Sequence, residues 1–175
     1  GTGTSALNQA LQAALNPPSE EKGERRFGDT LFREGDRVMQ VKNNYDILWR
    51  EEGGTASGMG MFNGDIGVIR SIQGEIITVD FDGKLVEYAP DMLGELEPAF
   101  AVTVHKAQGS EYRAVILAAL DGAPMLMTRG VLYTAITRAK SLFIVVGDDG
   151  AVARMVANNR QTRRYSGLRA RLLSL

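Results

Sequence analysis

Apolar and polar residues alternate in several short stretches between residues 34 and 97, which is the pattern of half-buried β-strands. Four stretches show the alternation or a short apolar run: Arg37–Lys42, Ile66–Ile72, Ile76–Phe81 and Leu85–Tyr88. Glycine turns separate them, at Asn63-Gly64, Gly74 and Asp82-Gly83. Short antiparallel strands joined by such turns predict a small β-barrel of the SH3-like kind over residues 34–97.

The segment before this region is predicted to be a helix followed by a linker. Four apolar residues recur there at helical spacing: Leu7, Leu11, Ala14 and Leu15. Pro17-Pro18 would stop the helix, and Thr4 or Ser5 is expected to cap its amino end. Charged residues dominate positions 19–26, which are expected to form a polar linker. Residues 43–60, with paired asparagines and several glycines, are expected to form a long excursion or a loose hairpin.

After Pro98 the pattern becomes that of an α/β domain. The continuous apolar runs Val115–Ala119 and Leu142–Val146 are typical of strands buried on both faces of a parallel sheet. The apolar residues between these runs recur at helical spacing: Val131, Leu132, Ala135, Ile136 and Ala139. A short helix is expected over Ala151–Ala157, and an arginine-rich amphipathic tail over residues 158–175. The first helix and this α/β part are predicted to form one layered domain, which the barrel interrupts.

Composition excludes several kinds of chemistry and adds a charge asymmetry. With no cysteine and one histidine among 175 residues, disulfides, thiolate catalysis and a zinc site are not expected. No apolar run is long enough to cross a membrane and no signal peptide is recognisable, so a soluble cytoplasmic protein is expected. Residues 53–100 carry a net charge of −6 and residues 151–175 a net charge of +6. Any polyanion should therefore contact the second half, unless the basic tail is simply a solvated helix.

The stretch Thr103–Glu111 holds a histidine, a lysine, a glutamine, a glycine and a carboxylate. It lies between two apolar runs, Phe100–Val104 and Ala114–Leu120. A strand, a polar loop and a second strand or helix is the layout of a site at the carboxyl end of a parallel sheet. A second polar stretch, Leu132–Lys140, follows later in the chain and ends with Arg138 and Lys140.

These two stretches resemble motifs V and VI of superfamily 1 helicases, most closely the RecD-like branch. Three further segments are similar to that family: Gly35–Gln40, Phe62–Gly67 and Arg164–Leu168. The resemblance implies a RecA-like parallel sheet, formed by residues 1–33 and 98–175 as a second motor domain, with an SH3-like insertion at 34–97. The sequence departs from the family in having no Walker A lysine loop, no acidic Walker B strand and no first motor domain. The chain is thus similar to the C-terminal part of a longer helicase.

The resemblance gives Arg138 a catalytic role. An arginine that reaches the γ-phosphate from outside the phosphate loop stabilises the charge of the transition state, and its fork of donors matches phosphate oxygens. Glu111 would meet the nucleotide ribose, Gly109 would let the backbone approach the phosphates, and Gln108 would add to the same edge. The structural alternatives are a helix-capping Arg138, a solvated Glu111 and a turn at Gly109.

Thr103, His105 and Lys106 are expected on the DNA side of motif V. A hydroxyl, an imidazole and an ammonium on one loop can hold consecutive phosphates of a single strand without reading sequence. A structural role for the lone His105 and a merely solvated Lys106 remain open. Asn43, Asn44 and Asn63 are weaker DNA candidates, because turn formation explains them equally well.

The resemblance implies the motor half of an ATP-dependent helicase that runs 5′ to 3′ on single-stranded DNA. Its cofactors would be ATP and Mg²⁺, the metal held mainly by the first motor domain. Its partners would be that domain of the same parent chain and, in some relatives, the subunits of exonuclease V. The isolated chain is expected to be inactive. The alternatives are a non-catalytic SH3-like module that binds nucleic acid or a peptide and, less well supported, a free-standing nucleotide-binding protein.

Overall fold

The computed structural model describes residues 3–120 and 126–159. The chain divides into two compact units, Gly1–Ser110 and Glu111–Leu175. The predicted amphipathic tail falls outside the described residues from position 160 onward.

The first unit begins with a helix, α1 (Thr4–Leu15), as its apolar spacing predicts. The expected cap at Thr4 or Ser5 is wrong, because Gly3 occupies the cap position and no side chain accepts a bond there. The helix ends at Asn16, where two prolines without amide hydrogens follow.

A short hairpin follows where a linker was expected. Strands β1 (Glu24–Phe27) and β2 (Thr30–Arg33) pair antiparallel, with Gly28 at a φ of 54° in the turn between them. The linker prediction is therefore wrong over residues 24–26. The buried Arg33 explains the pairing in part, because its Nε donates to the carboxylate of Glu24 at 2.6 Å.

Seven strands form one antiparallel sheet in the order β5-β4-β8-β7-β6-β3-β9. Their bounds are β3 (Arg37–Gln40), β4 (Asn44–Glu51), β5 (Ser57–Met61), β6 (Ile66–Gln73), β7 (Ile76–Phe81), β8 (Lys84–Tyr88) and β9 (Leu96–Pro98). A 3₁₀ helix, Pro90–Glu95, connects β8 to β9. The strand predictions after residue 34 hold, and the segment 43–60 is a true hairpin.

The antiparallel strands of the predicted SH3-like barrel are present, but the described strands form an open sheet and no closed barrel. Closure would require the two edge strands to pair, and β9, only three residues long, pairs with β3 alone among the described residues. In the β4–β5 hairpin, β4 pairs with β8 and β5 pairs with the other side of β4. Strand β5 therefore forms the other edge of the sheet.

The turn between β7 and β8 confirms the reading of Asp82-Gly83. Both residues have positive φ, 55° for Asp82 and 88° for Gly83, and Phe81 pairs with Lys84 across them. Two consecutive positive φ angles are what a two-residue hairpin turn needs to match strand twist. The apolar side chains of β2, the seven-stranded sheet and the 3₁₀ helix form the core: Phe32, Val38, Ile47, Met61, Ile69, Ile77, Val79, Phe81, Val86, Tyr88, Leu93 and Leu96.

Side-chain amides of helix α1 form hydrogen bonds with the rest of this unit. Asn8 donates to the carbonyl of Ala101 at 2.8 Å and accepts from its amide at 2.9 Å. Gln12 and Asn16 donate to the buried carboxylate of Asp36. The predicted division into residues 1–33 plus 98–175 and residues 34–97 stays a prediction.

The second unit contains strand β10 (Tyr112–Ala119), helix α2 (Arg129–Ile136), strand β11 (Ala139–Gly147) and helix α3 (Asp149–Ala157). The predicted strands and helices are thus present, and β10 pairs parallel with β11. The prediction that both faces of these two strands are buried is wrong, since Ile116 is 68% exposed and most of β11 is exposed. The apolar pattern fits a wider sheet, but only these two strands pair in this unit within the described residues.

Candidate functional site

The polar loop of motif V type lies in the first unit, directly after β9. The apolar run Phe100–Val104 was predicted to be a strand, and it is instead bend and irregular chain that leads into a turn. The reason is local. The Thr103 carbonyl accepts from the amide of Ala107 at 3.1 Å and its Oγ1 from the amide of Lys106 at 3.2 Å. Thr103 therefore caps one short helical turn, as hydroxyl residues commonly do.

The three predicted DNA contacts share this turn. Thr103, His105 and Lys106 are all exposed, and their backbones are fixed within four residues of one another. The Thr103 hydroxyl accepts a bond from the chain and keeps its own proton to donate. A donor hydroxyl, an imidazole and an ammonium are thus presented together to solvent, which suits phosphate oxygens.

Sequence reasoning missed Glu97, which forms an ion pair with one of these three side chains. The carboxylate of Glu97, in the middle of β9, lies 2.5 Å from Nζ of Lys106, and both side chains are partly exposed. Its only signal in the sequence is an acid shortly before a basic loop. The two side chains meet because the chain turns after Pro98, and this turn is visible in the structure but not in the sequence.

A small cavity of about 70 Å³ lies beside the same loop. Residues of α1, β3, β9 and the loop line it: Thr4, Met39, Glu97, Pro98, Ala101, Val102, Thr103 and Lys106. Sites that enclose a nucleotide-sized ligand are several hundred Å³ in volume. The cavity is therefore too small for ATP.

Gln108 and Gly109 complete the loop. Gln108 is exposed, and its amide donates to the carbonyl of His105 at 3.2 Å. Gly109 has a φ of 88°, a left-handed conformation that a side chain would disfavour, and open space surrounds it on the Cβ side. Its backbone is thus accessible, as the close approach of another group would require.

Glu111 and Arg138 lie together in the second unit. The amide of Tyr112 donates to the carbonyl of Arg138 at 2.8 Å, and Tyr112 pairs with Ala139 at the start of the parallel strands. Each predicted residue therefore immediately precedes a strand, at the amino end of the pair. The carboxyl-end position expected for the Thr103–Glu111 stretch is therefore wrong for Glu111.

Local bonds set the surroundings of both side chains. Arg138 follows α2, its amide donates to Ala135 at 3.2 Å, and its Nη2 lies 3.4 Å from the Thr137 hydroxyl. Glu111 is exposed and forms a 3.2 Å ion pair with Lys140, a partner that sequence reasoning missed. A guanidinium and a carboxylate held one strand apart offer donors for phosphate oxygens and an acceptor for ribose hydroxyls.

The predicted residues thus form two groups. Thr103, His105, Lys106, Gln108 and Gly109 belong to the first unit, whereas Glu111 and Arg138 belong to the second. In the part of the chain that the structure describes, no cluster of three or more histidine, aspartate or glutamate residues could hold a metal ion. None of the described helices is long and apolar enough to cross a membrane.

Comparison with known families divides the chain between two helicase domains. Residues 7–81 match the SH3 domain of ATP-dependent RecD-like DNA helicases. Residues 98–146 match the UvrD-like helicase C-terminal domain. All seven predicted site residues fall within the second match.

Two characterised relatives are similar along nearly the whole chain. The ATP-dependent RecD2 DNA helicase of Deinococcus radiodurans is 35% identical over 161 residues, which cover 92% of this chain and 20% of the relative. The RecBCD enzyme subunit RecD of Mycobacterium tuberculosis is 33% identical over 174 residues, which cover 99% of this chain and 27% of the relative. The chain therefore spans between a fifth and about a quarter of the length of these two proteins.

A solved structure is also similar to the chain. Bacteroides Pif1 bound to single-stranded DNA aligns over 82% of this chain and 39% of that protein, with a TM-score of 0.49 and 17% identity. The family assignment rests on the two domain matches, in this order, and on the two relatives. The chain belongs to the RecD-like DNA helicases, of which it carries the SH3 domain and the UvrD-like C-terminal domain.

Proposed function

We propose that this chain is the part of an ATP-dependent 5′ to 3′ DNA helicase that supplies the motif V and motif VI contacts to DNA and ATP. The observation that carries the proposal is the bond between the Tyr112 amide and the Arg138 carbonyl, 2.8 Å long. It holds Glu111 and Arg138 at the starts of neighbouring strands. A catalytic guanidinium needs this kind of rigid support, because small misplacements are costly for rate.

The proposed DNA contact is the exposed turn that bears Thr103, His105 and Lys106. These side chains would donate to successive phosphates of one strand, so binding would not depend on base sequence. Their common support is the capped turn between Thr103 and Ala107, which fixes the spacing of the three donors.

The proposed nucleotide contacts are Arg138, Glu111 and the Gln108-Gly109 backbone. The residues fit ATP in kind: a forked cation for the γ-phosphate, a carboxylate for the ribose, and open backbone at Gly109. ATP supplies the driving reaction when bound, and Mg²⁺ would be held mainly outside this chain. Arg138 would stabilise charge that develops on the transferred phosphoryl group, whereas Glu111 would orient the nucleotide.

The phosphate loop and the other catalytic elements of the helicase are proposed to lie in a first motor domain of a longer parent chain. In the 175-residue chain no Gly-Lys-Ser or Gly-Lys-Thr phosphate loop is present. The isolated chain is therefore proposed to lack ATPase and unwinding activity. We further propose that the parent chain belongs to an exonuclease V complex, which the name of the Mycobacterium tuberculosis relative supports.

The decisive experiment measures binding of fluorescent oligonucleotides to the 175-residue chain at low and moderate salt. Replacing Thr103, His105 and Lys106 together by alanine should weaken binding of oligo-dT and mixed sequences alike. Affinity of the unaltered chain should fall steeply with salt, because phosphate contacts release counterions. Lys42→Ala is the matched control, since it removes an exposed lysine of the same unit outside the loop.

Two results would contradict the proposal. Unchanged binding in the triple variant would move the DNA contact elsewhere, with the arginine-rich tail as the next candidate. ATP turnover that copurifies with the isolated chain would contradict the division of labour between two motor domains. Such turnover would favour the free-standing nucleotide-binding protein, whereas loss of any role for the loop in DNA binding would favour the non-catalytic SH3-like module.

A further inference from the structure

The β4–β5 hairpin carries exposed apolar side chains that neither the DNA contact nor the nucleotide contact uses. Leu48 is 68% exposed, and Tyr45, Met59 and Phe62 are also among the exposed large apolar residues. We call these four residues the hairpin patch. Single exposed apolar residues need no explanation, but contiguous ones mark surfaces where another molecule binds.

The four side chains form two pairs. Leu48 pairs directly with Met59 across the two strands, so their side chains share one face. The ring of Phe62 lies against Gly60, where an added Cβ would be 3.4 Å from the ring. Tyr45 meets Phe62 edge to face, with ring centroids 5.8 Å apart. The patch thus comprises one pair across β4 and β5 and an aromatic pair at the open end of the hairpin.

Strand β5 also has a free hydrogen-bonding edge. It is the last strand of the sheet, and no other described strand pairs with its outer side. The amide of Glu51 donates to the carbonyl of Ala56, which makes these two a hydrogen-bonded pair. Hydrogen-bonded pairs alternate along an antiparallel ladder, so Ser57 and Met59 direct their main-chain groups away from β4. Both residues are exposed, and their amides and carbonyls point to solvent.

The charge of the hairpin selects the kind of partner. Asp46, Glu51 and Glu52 are exposed on it, and its one basic residue, Arg50, is paired with Glu87 at 3.2 Å. Glu52 is paired with Arg70 at 3.0 Å, so the excess negative charge of the hairpin comes from Asp46 and Glu51. A phosphate backbone would be repelled by this surface. A basic segment would be attracted, and its alternate side chains could cover the apolar residues.

We propose that the hairpin patch and the outer edge of β5 bind an extended basic and apolar segment of a partner protein, which adds to the sheet as an eighth strand. Main-chain bonds to Ser57 and Met59 supply affinity, while Leu48, Met59 and Phe62 accept apolar side chains. Strand addition of this kind is a general mode of peptide recognition at a free sheet edge. Strand β5 lies at the opposite edge of the sheet from β9, after which the proposed DNA-binding loop begins.

The test uses the whole 175-residue chain and a fluorescein-labelled nine-residue peptide of alternating valine and lysine. Fluorescence anisotropy should show saturable binding, and a matched peptide of alternating valine and glutamate should bind at least tenfold more weakly. Leu48→Ser should reduce affinity for the basic peptide several-fold. Leu15→Ser is the matched control, because Leu15 is 67% exposed on α1 and should leave binding unchanged.

A second variant separates main-chain pairing from apolar contact. Ser57→Pro removes an outward amide that β4 does not use, so the hairpin should persist by circular dichroism while peptide binding falls. Equal binding of the two peptides would overturn the proposal, as would equal effects of Leu48→Ser and Leu15→Ser. Oligonucleotide binding lost in Leu48→Ser would assign the patch to DNA instead. Dimerisation of the chain that Leu48→Ser abolishes would assign it to a second copy.

Discussion

Nζ of Lys106 lies 2.5 Å from the carboxylate of Glu97, so a predicted phosphate-binding lysine is already paired with an acid of the same unit. The pair is partly exposed, and such pairs contribute roughly 0–1 kcal/mol because solvent screens them. A phosphate that binds Lys106 must therefore displace Glu97 or accept its negative charge nearby.

Glu97→Gln is accordingly expected to strengthen binding of single-stranded DNA. The gain should be about two- to fivefold at low salt, the factor that corresponds to roughly 0.5–1 kcal/mol. Titration of the chain with a labelled oligonucleotide measures it. Glu75→Gln is the control, because Glu75 is likewise exposed and paired with an arginine, at 3.2 Å from Arg25. An equal gain from both variants would mean that net charge alone is responsible.

Arg138 and Glu111 should differ in kinetics within a full-length helicase that contains this chain. Arg138→Ala should lower the ATPase kcat by about 10³-fold, an arginine-finger magnitude, and Arg138→Lys should restore little of it. Glu111→Ala should mainly raise the KM for ATP, since a ribose contact is similar in the ground and transition states. Steady-state ATPase assays measure both effects. A near-normal kcat in folded Arg138→Ala would refute the motif VI role.

Asp36 should be essential for stability of the first unit. Its buried carboxylate accepts from Gln12 at 2.5 Å, from Asn16 at 2.8 Å and from the amide of Arg33 at 2.8 Å. Each buried donor left without an acceptor costs about 1–3 kcal/mol. Asp36→Ala should therefore lower the free energy of unfolding by about 3 kcal/mol or more in urea titrations. Asp29→Ala, at an exposed turn position, should change it by less than about 0.5 kcal/mol.

Tyr88 should make the protein sensitive to alkali. Burial raises the pKa of its hydroxyl well above the ordinary value of 10.0, and the carboxylates of Glu95 and Asp65 raise it further. Above pH 10 the unfolded chain loses this proton and the folded one keeps it. The unfolded state then binds fewer protons, so stability falls as the pH rises. The loss from this group is at most about 1.4 kcal/mol per pH unit.

Urea unfolding at pH 9 and pH 11 tests this expectation. Tyr88→Phe should be less stable than the unaltered chain at pH 9, because the buried Gln40 loses the hydroxyl that donates to its Oε1 at 2.7 Å. The difference between the two proteins should shrink at pH 11. An unchanged difference would show that Tyr88 does not contribute to the alkaline loss.

The sheet of the first unit could be predicted strand by strand because its signals are local. Ile76–Phe81 alternates at the strand period, and Asp82-Gly83 supplies the two positive φ angles of the turn. Closure could not be predicted, since it depends on which distant strands become neighbours. The β1 strand was missed because three of its four residues are charged, and its pairing rests on β2 and Arg33 rather than on an apolar face.

The surroundings of the candidate site residues could not be predicted from the sequence. The resemblance picked out Lys106, Glu111 and Arg138 from short motifs. Their ion-pair partners, Glu97 and Lys140, are set by where the chain turns after β9 and by the pairing of β10 with β11. The prediction also failed at Ile116. This residue lies in an apolar run that predicts burial, but the described strands leave its side chain exposed.

The side chain of Asn8 joins the main chain of Ala101, 93 residues away, and so bears on the order in which the first unit folds. A contact of this sequence separation gains its bonds only after a long loop has closed, which costs more entropy than closing a hairpin. The two-residue turn at Asp82-Gly83 lets β7 and β8 pair long before that. We therefore expect the bonds between Asn8 and Ala101 to form after β7 and β8 have paired, and later than the bonds that join Gln12 and Asn16 to Asp36.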